Sequence, residues 1–194
     1  MISDHLLLLG RFLRSPRTVG AIAPSSQVLA REMLRDIDFA AGRRVVELGI
    51  GTGAFTRQIA ERLGSGGWYL GVEIDPSFVA LAKKQWPRLD VTCASAEELP
   101  ALLSARGVHE VDHIISGLPF ASLPAAVTRA ILAALRETIR PGGTFTTFQY
   151  LHGYRLPLAV TFRRQMDETM GSTATRRVVV RNLPPAYVLS WTRT

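Results

Sequence analysis

Val45-Val46-Glu47-Leu48-Gly49-Ile50-Gly51-Thr52-Gly53 runs from an apolar β-type segment, carrying one acid, into a turn with glycine at every second position. A helical pattern follows over residues 54–63. Strand, glycine turn, helix is the order by which an α/β fold brings bare backbone against a nucleotide-like ligand. Glycine suits such a turn because a Cβ would block both the tight bend and the ligand's approach. A glycine triplet alone is weak evidence, so its surroundings must carry the assignment.

Further on, Tyr69-Leu70-Gly71-Val72-Glu73-Ile74-Asp75-Pro76 reads as a second strand that ends in a carboxylate and is closed by an Asp-Pro turn. An acid there can accept hydrogen bonds from ribose hydroxyls, or it can simply be a solvated strand end. A nicotinamide dehydrogenase uses similar parts but prefers Gly-x-Gly-x-x-Gly. Here the pattern is Glu-x-Gly-x-Gly-x-Gly, with Glu47 just before the turn. That resembles motif I of the class I S-adenosylmethionine-dependent methyltransferases, and Glu73 resembles their ribose-binding acid. The resemblance implies S-adenosylmethionine as cofactor, held by Glu47, Gly49, Gly51, Thr52 and Gly53 at the turn and by Glu73 and Ile74 at the end of the second strand.

A length of 194 residues suits one α/β domain with its own core. With 47% hydrophobic and 20% charged residues, wholesale disorder is not expected. A single cysteine, Cys93, excludes an internal disulfide and a cysteine-based zinc cluster, and a buried strand position is expected for it. The four histidines, at 5, 109, 113 and 152, show no metal-ligand spacing, so no metal is expected. The formal net charge of +7 comes almost wholly from arginine, since Lys83 and Lys84 are the only lysines. This fits a compositional bias, or a phosphate-bearing partner matched by the guanidinium fork. Nucleic acid and anionic membrane both qualify. No apolar run approaches the ~20 residues needed to span a bilayer. The Leu6–Leu9 run is too short for the core of a signal peptide. A monomeric protein that stays in the cytoplasm is expected.

Along the chain, Ile2, Leu6, Leu9 and Leu13 follow i, i+4, i+7, i+11, predicting an amphipathic helix over residues 2–14. Leu8 and Phe12 widen its apolar stripe, Arg11 and Arg14 lie opposite, and Arg17 follows closely. An interfacial membrane helix has this form, and so does a helix packed on its own domain. Pro16 ends it, residues 18–24 form an extended connector, and Ser25 or Ser26 caps a second helix reaching about Asp36. Strands are expected at 43–48, 68–74, 89–93, 111–116 and 144–150, with helices at 76–86, 97–103 and 124–139. Residues 151–170 read as less regular, and 175–181 with 186–192 as an antiparallel pair. The whole describes an α/β, Rossmann-like methyltransferase domain: a seven-stranded, mostly parallel sheet with a C-terminal antiparallel hairpin. A single domain spans residues 1–194, with 1–24 as N-terminal helix and connector and 25–194 as core.

Ligands of such sheets sit at the carboxyl ends of the strands, near the switch in strand order. By resemblance, Ala96 and Glu97 belong to the loop against the adenine and Ser116 to the loop after the fourth strand. Glu97 equally fits a first-turn acid favoured by the helix dipole. Many relatives carry aspartate where this chain has Ser95. Gly117-Leu118-Pro119-Phe120 falls where amino-directed nucleic-acid methyltransferases carry Asn or Asp, x, Pro and an aromatic that stacks on the flipped base. Gly117 has no side chain to hold an exocyclic amine, and leaves room for a bulkier nitrogen nucleophile.

Phe12-Leu13-Arg14-Ser15-Pro16-Arg17-Thr18-Val19-Gly20-Ala21-Ile22-Ala23-Pro24-Ser25-Ser26, then motif I, then Ser116-Gly117-Leu118-Pro119-Phe120, together resemble the soluble bacterial phospholipid N-methyltransferases. The resemblance covers nearly the whole chain and implies successive methylation of phosphatidylethanolamine to the monomethyl, dimethyl and phosphatidylcholine products. It implies a peripheral enzyme on the inner face of the cytoplasmic membrane. The helix with Leu6, Leu9, Phe12 and Leu13 would be the anchor, and Arg11, Arg14 and Arg17 would face anionic lipid at roughly 1 kcal/mol each. The family is related to the ribosomal RNA adenine N6-dimethyltransferases. An RNA enzyme of that kind is the alternative, disfavoured by Gly117 and by the expectation that the chain is too short for a C-terminal helical domain. A cofactor-binding scaffold without chemistry is a third reading. In the lipid reading, a headgroup ammonium with a lysine-like pKa of about 10 must first lose its proton. Phe120 and Tyr150 could hold the methylated cation, Tyr150, Tyr154 and His152 are base candidates by position, and Arg155 could bind the lipid phosphate.

Overall fold

Seven strands, β1 (Arg44–Leu48), β2 (Trp68–Glu73), β3 (Asp90–Cys93), β4 (Val111–Ser116), β5 (Ile139–Tyr150), β6 (Thr175–Val179) and β7 (Ala186–Thr192), form one sheet. Their order is β3-β2-β1-β4-β5-β7-β6. The first five run parallel, while β7 pairs antiparallel with both β5 and β6. This computed structural model describes residues 27–39, 42–64 and 66–194. The expected helix over 2–14, with Leu6, Leu9, Arg11, Phe12, Leu13 and Arg14, lies outside the described residues, as do Arg17, the connector, Ser25 and Ser26.

Alternation along the strands sends side chains into two helical layers. Val45 and Ile115 face the layer of α1 (Gln27–Met33), α2 (Ala54–Arg62) and α3 (Pro76–Gln85), which buries Leu29, Phe55, Ile59 and Val79. Val46, Leu48 and Ile114 face α4 (Leu99–Ser104), α5 (Ala125–Thr138) and α6 (Pro157–Met170), which bury Leu99, Ile131, Leu135 and Phe162. Every residue of β4 is buried, as a central strand covered on both faces requires. The order reverses between β1 and β4, which opens a crevice at their carboxyl ends.

Three expectations are corrected. Residues 151–170 are ordered: a 3-10 turn over Leu151–Gly153 leads into α6, a 14-residue helix. Ala159, Phe162, Met166 and Met170 form its buried stripe, Pro157 opens it, and Gly171 closes it in the left-handed conformation at φ 70°. Second, β5 starts at Ile139, which pairs with Val111. The register then shifts through Pro141-Gly142-Gly143, so that Thr144 meets His113. Third, Cys93 is exposed, because β3 is an edge strand.

At the opposite end of the sheet, one carboxylate ties three strands together. Asp112 accepts from the Arg44 backbone N–H at 2.9 Å, from Arg43 at 2.9 Å and from Arg140 at 2.7 Å. Burial pushes its pKa up, but the three donors outweigh that and hold it below the usual carboxylate value.

Candidate active site

Three backbone hydrogen bonds continue the sheet past its strand ends and set the loops side by side. Gly49 N–H donates to the Val72 carbonyl at 2.8 Å, Gly117 N–H to Leu48 at 2.8 Å, and Ala94 N–H to Glu73 at 3.1 Å. The cleft they frame is lined by Gly49 of the glycine turn, by Val72, Glu73 and Ile74, by Ala94 and Ala96, and by Leu118. These are the loops the sequence predicted would converge. Leu123, just before α5, and Ile131, in its middle, complete the wall; sequence reasoning missed them because nothing but folding brings that helix to the cleft.

Among the described residues, Glu73 is the only ionisable group on the cleft wall. One carboxylate oxygen accepts from Gly51 N–H at 2.9 Å and the other from Asp75 N–H at 2.9 Å. Each oxygen has a second lone pair, which leaves the carboxylate able to accept from a pair of hydroxyls. Gly51 has φ +52°, and no atom of the described residues lies within 4 Å of where its Cβ would be. The turn therefore offers bare backbone beside an acid, which fits a ribose and its neighbouring groups. Thr52 is exposed on the crest of the turn, and Gly53 caps α2 from the left-handed region.

Glu47 is not on the cleft surface. It is fully buried under the turn, where Tyr69 donates its hydroxyl at 2.7 Å and Thr56 places its hydroxyl 2.9 and 3.0 Å from the two carboxylate oxygens. Desolvation outweighs these donors and pushes the Glu47 pKa up to about 7. The same burial, together with Glu47 itself, pushes the Tyr69 phenol up. Thr56 belongs to α2 and Tyr69 to β2, so Glu47 fastens both elements to β1 and positions the turn. A carboxylate inside an apolar strand signals that such donors must exist, but only the strand register identifies Tyr69.

After β3, Ser95 and Glu98 form a capping box: Ser95 N–H donates to Glu98 at 2.8 Å, and the Ser95 hydroxyl accepts from the backbone N–H groups that follow. Ala96 faces the cleft, whereas Glu97 is a half-exposed first-turn acid off the cleft wall. After β4, buried Ser116 accepts from Leu118 N–H at 3.2 Å and shapes the following turn without lining the cleft. The space left by Gly117 is not free for a nucleophile: a Cβ there would stand 2.7 Å from the Gly49 carbonyl oxygen. Glycine at 117 lets the loops after β1 and β4 touch.

The expected catalytic residues are dispersed. Phe120 is buried against α6, stacked on Phe162 at 4.2 Å and edge-on to Phe145, so it supports the cleft from behind. Tyr150 packs with Phe148 on the α1–α3 side and stacks on His152. Tyr154 packs on the α4–α6 side, with the Arg163 guanidinium 3.7 Å above its ring. Arg155 is exposed. Among the described residues, no group of three or more His, Cys, Asp and Glu is placed to hold a metal ion, and no helix is long and apolar enough to cross a membrane.

Sheet order, the glycine turn and the matching family model define a class I methyltransferase, with S-adenosylmethionine as its cofactor. The chain belongs to the methyltransferase domain family, which it matches over residues 45–143. It is 32% identical over 190 residues to the ornithine lipid N-methyltransferase of Singulisphaera acidiphila, covering 95% of this chain and 94% of that one. Among solved structures, TrmN from Thermus thermophilus superposes with a TM-score of 0.64 at 21% identity, covering 87% of this chain and 49% of that one. Aeropyrum pernix fibrillarin with natively bound S-adenosyl-L-methionine gives 0.63 at 15% identity, covering 86% and 74%. The two structural likenesses speak for the fold alone.

Proposed function

We propose that this protein N-methylates the primary amine of a lipid headgroup at a membrane surface, acting on phosphatidylethanolamine and carrying it stepwise to phosphatidylcholine. The observation that carries the reading is likeness to a lipid N-methyltransferase along nearly the whole chain, not merely across the shared cofactor domain. The +7 charge, built from arginine, suits an anionic surface.

Bound S-adenosylmethionine supplies an electrophilic sulfonium methyl. Glu73, braced by the Gly51 N–H, would accept from the ribose hydroxyls, while Ala96 and Ile74 wall the same cleft. Leu118, Leu123 and Ile131 make the rest of the wall apolar. Desolvation beside them lowers the pKa of an entering ammonium and favours the neutral amine that attacks. Among the described residues Glu73 is the one carboxylate on the cleft wall, and both its oxygens already accept backbone donors, so in this reading the amine loses its proton to solvent before it is enclosed. The rate then rests on proximity and in-line orientation.

The relative's name makes ornithine lipid a second candidate substrate with the same reacting group, an amine on a lipid. The test supplies labelled S-adenosylmethionine with vesicles containing phosphatidylethanolamine, with vesicles containing ornithine lipid, and with RNA. Label in phosphatidylethanolamine supports the proposal. Label in ornithine lipid alone replaces the substrate, and label in RNA without lipid overturns the reading in favour of an RNA methyltransferase.

A further inference from the structure

Seven of the eight large hydrophobic side chains exposed among the described residues gather in two neighbouring segments; only Leu81 lies elsewhere. Leu156, Leu158 and Val160 sit at the start of α6, 44–50% exposed. Val178, Val180 and Leu183 occupy the end of β6 and the loop to β7, with Leu183 83% exposed. The two segments meet: Leu151 N–H donates to the Pro185 carbonyl at 2.9 Å, and the Arg176 guanidinium lies over the rings of both Tyr154 and Tyr187. Their position in the sheet is informative. Val179 pairs with Ala186, and Ala186 pairs with Tyr150, the last residue of β5. The rim therefore stands at the carboxyl end of the sheet, the end that carries the cleft.

Charge selects the partner. Residues 139–194 hold eight arginines against two acids, Asp167 and Glu168, and so carry six of the seven net positive charges. Residues 169–194 contain no acid. Arg155, Arg164 and Arg181 are exposed on these segments and have no carboxylate partner among the described residues. Exposed apolar side chains edged by unpaired guanidiniums fit an interface with anionic headgroups outside and acyl chains beneath. An apolar patch of this kind marks an interaction site.

We infer that the start of α6 and the β6–β7 tip form a docking surface for an anionic bilayer, separate from residues 2–14, which sets the cleft mouth against the lipid headgroups. The inference rests on the lipid reading of the cleft. Its test is separable: spin labels at Leu158→Cys and Leu183→Cys, with His109→Cys at the amino end of the sheet as control, all in a Cys93→Ser background of the full chain. Accessibility to oxygen and to a water-soluble nickel chelate is measured with and without phosphatidylglycerol–phosphatidylcholine vesicles. Labels at 158 and 183 are expected to become oxygen-accessible and nickel-protected on the vesicles while 109 stays nickel-accessible. The double variant Leu158→Ser/Leu183→Ser is expected to bind vesicles about tenfold more weakly, and to keep methyl transfer to lipid in detergent micelles. Labels at 158 and 183 as water-exposed as 109 on sedimented vesicles overturn the surface and leave the lipid reading standing. Protection that grows with protein concentration without vesicles overturns it in favour of self-association. Loss of transfer to micellar lipid by the unmutated protein strikes the lipid reading itself.

Discussion

Glu73 and Gly51 are joined by a 2.9 Å hydrogen bond from the turn's backbone N–H to the carboxylate that ends β2. Two features that stand 22 residues apart in the chain are one device in space. The acid holds the glycine turn in shape while presenting its remaining lone pairs to the cleft.

Removing that acid tests the device. Glu73→Ala deletes the acceptor for Gly51 and Asp75 N–H, and with it the group proposed to accept from the ribose. A hydrogen bond to a charged group is worth about 1.5–3 kcal/mol, so cofactor affinity is expected to fall roughly tenfold to a hundredfold. Calorimetric titration with S-adenosylhomocysteine measures this; an unchanged Kd refutes the role.

Two glycines are expected to respond in different ways. Gly117→Ala drives a Cβ to 2.7 Å from a backbone oxygen of Gly49, which no side-chain rotation relieves. We expect about 1–3 kcal/mol of lost stability and a weakened cofactor site, because Gly49 lines the cleft. Gly51→Ala meets no neighbour among the described residues but must adopt φ +52°, at about 1 kcal/mol. Its main effect should be on cofactor affinity. Thermal melts with and without cofactor separate the two.

The fold class, the glycine turn, Glu73 and the converging loops were legible in the sequence because each depends on local pattern: strand runs, turn residues and the acid at a strand end. What was not legible depends on register and packing. Glu47 reads as a cofactor residue until β2 is laid beside β1 and Tyr69 comes into reach. Phe120 occupies the expected loop, yet its ring turns to Phe162, a residue 42 positions later. The α6 helix was hidden by its own surface, since exposed Leu156, Leu158 and Val160 blur the stripe of Ala159, Phe162, Met166 and Met170.

The buried Glu47 makes stability depend on pH with a definite sign. Its folded pKa, about 7, lies above the reference 4.5. The folded protein therefore binds more protons across that window, and the stability this group contributes, full below 4.5, is lost as pH rises through 7. The swing is about 3 kcal/mol in order of magnitude. Glu47→Gln removes the titration and keeps a side chain of similar shape for Tyr69 and Thr56. Melts from pH 4.5 to 8 are expected to show the wild type losing ground to this variant as pH rises; parallel curves would falsify the shift.

Tyr150 offers the final test, one that separates packing from chemistry. Its hydroxyl is buried with no hydrogen-bond partner among the described residues, and burial pushes its pKa above the usual 10. At neutral pH it therefore stays protonated and does not act as a phenolate base. Deleting an unpaired buried hydroxyl removes a desolvation cost, so Tyr150→Phe should be as stable as the wild type or more so, by up to about 1 kcal/mol. Methyl transfer should persist within a few-fold, because the ring that packs on Phe148 and His152 remains. Tyr150→Ala removes that ring and should lose both stability and transfer. A large fall in kcat for Tyr150→Phe, with stability intact, would instead assign the hydroxyl a direct part in handling the amine proton.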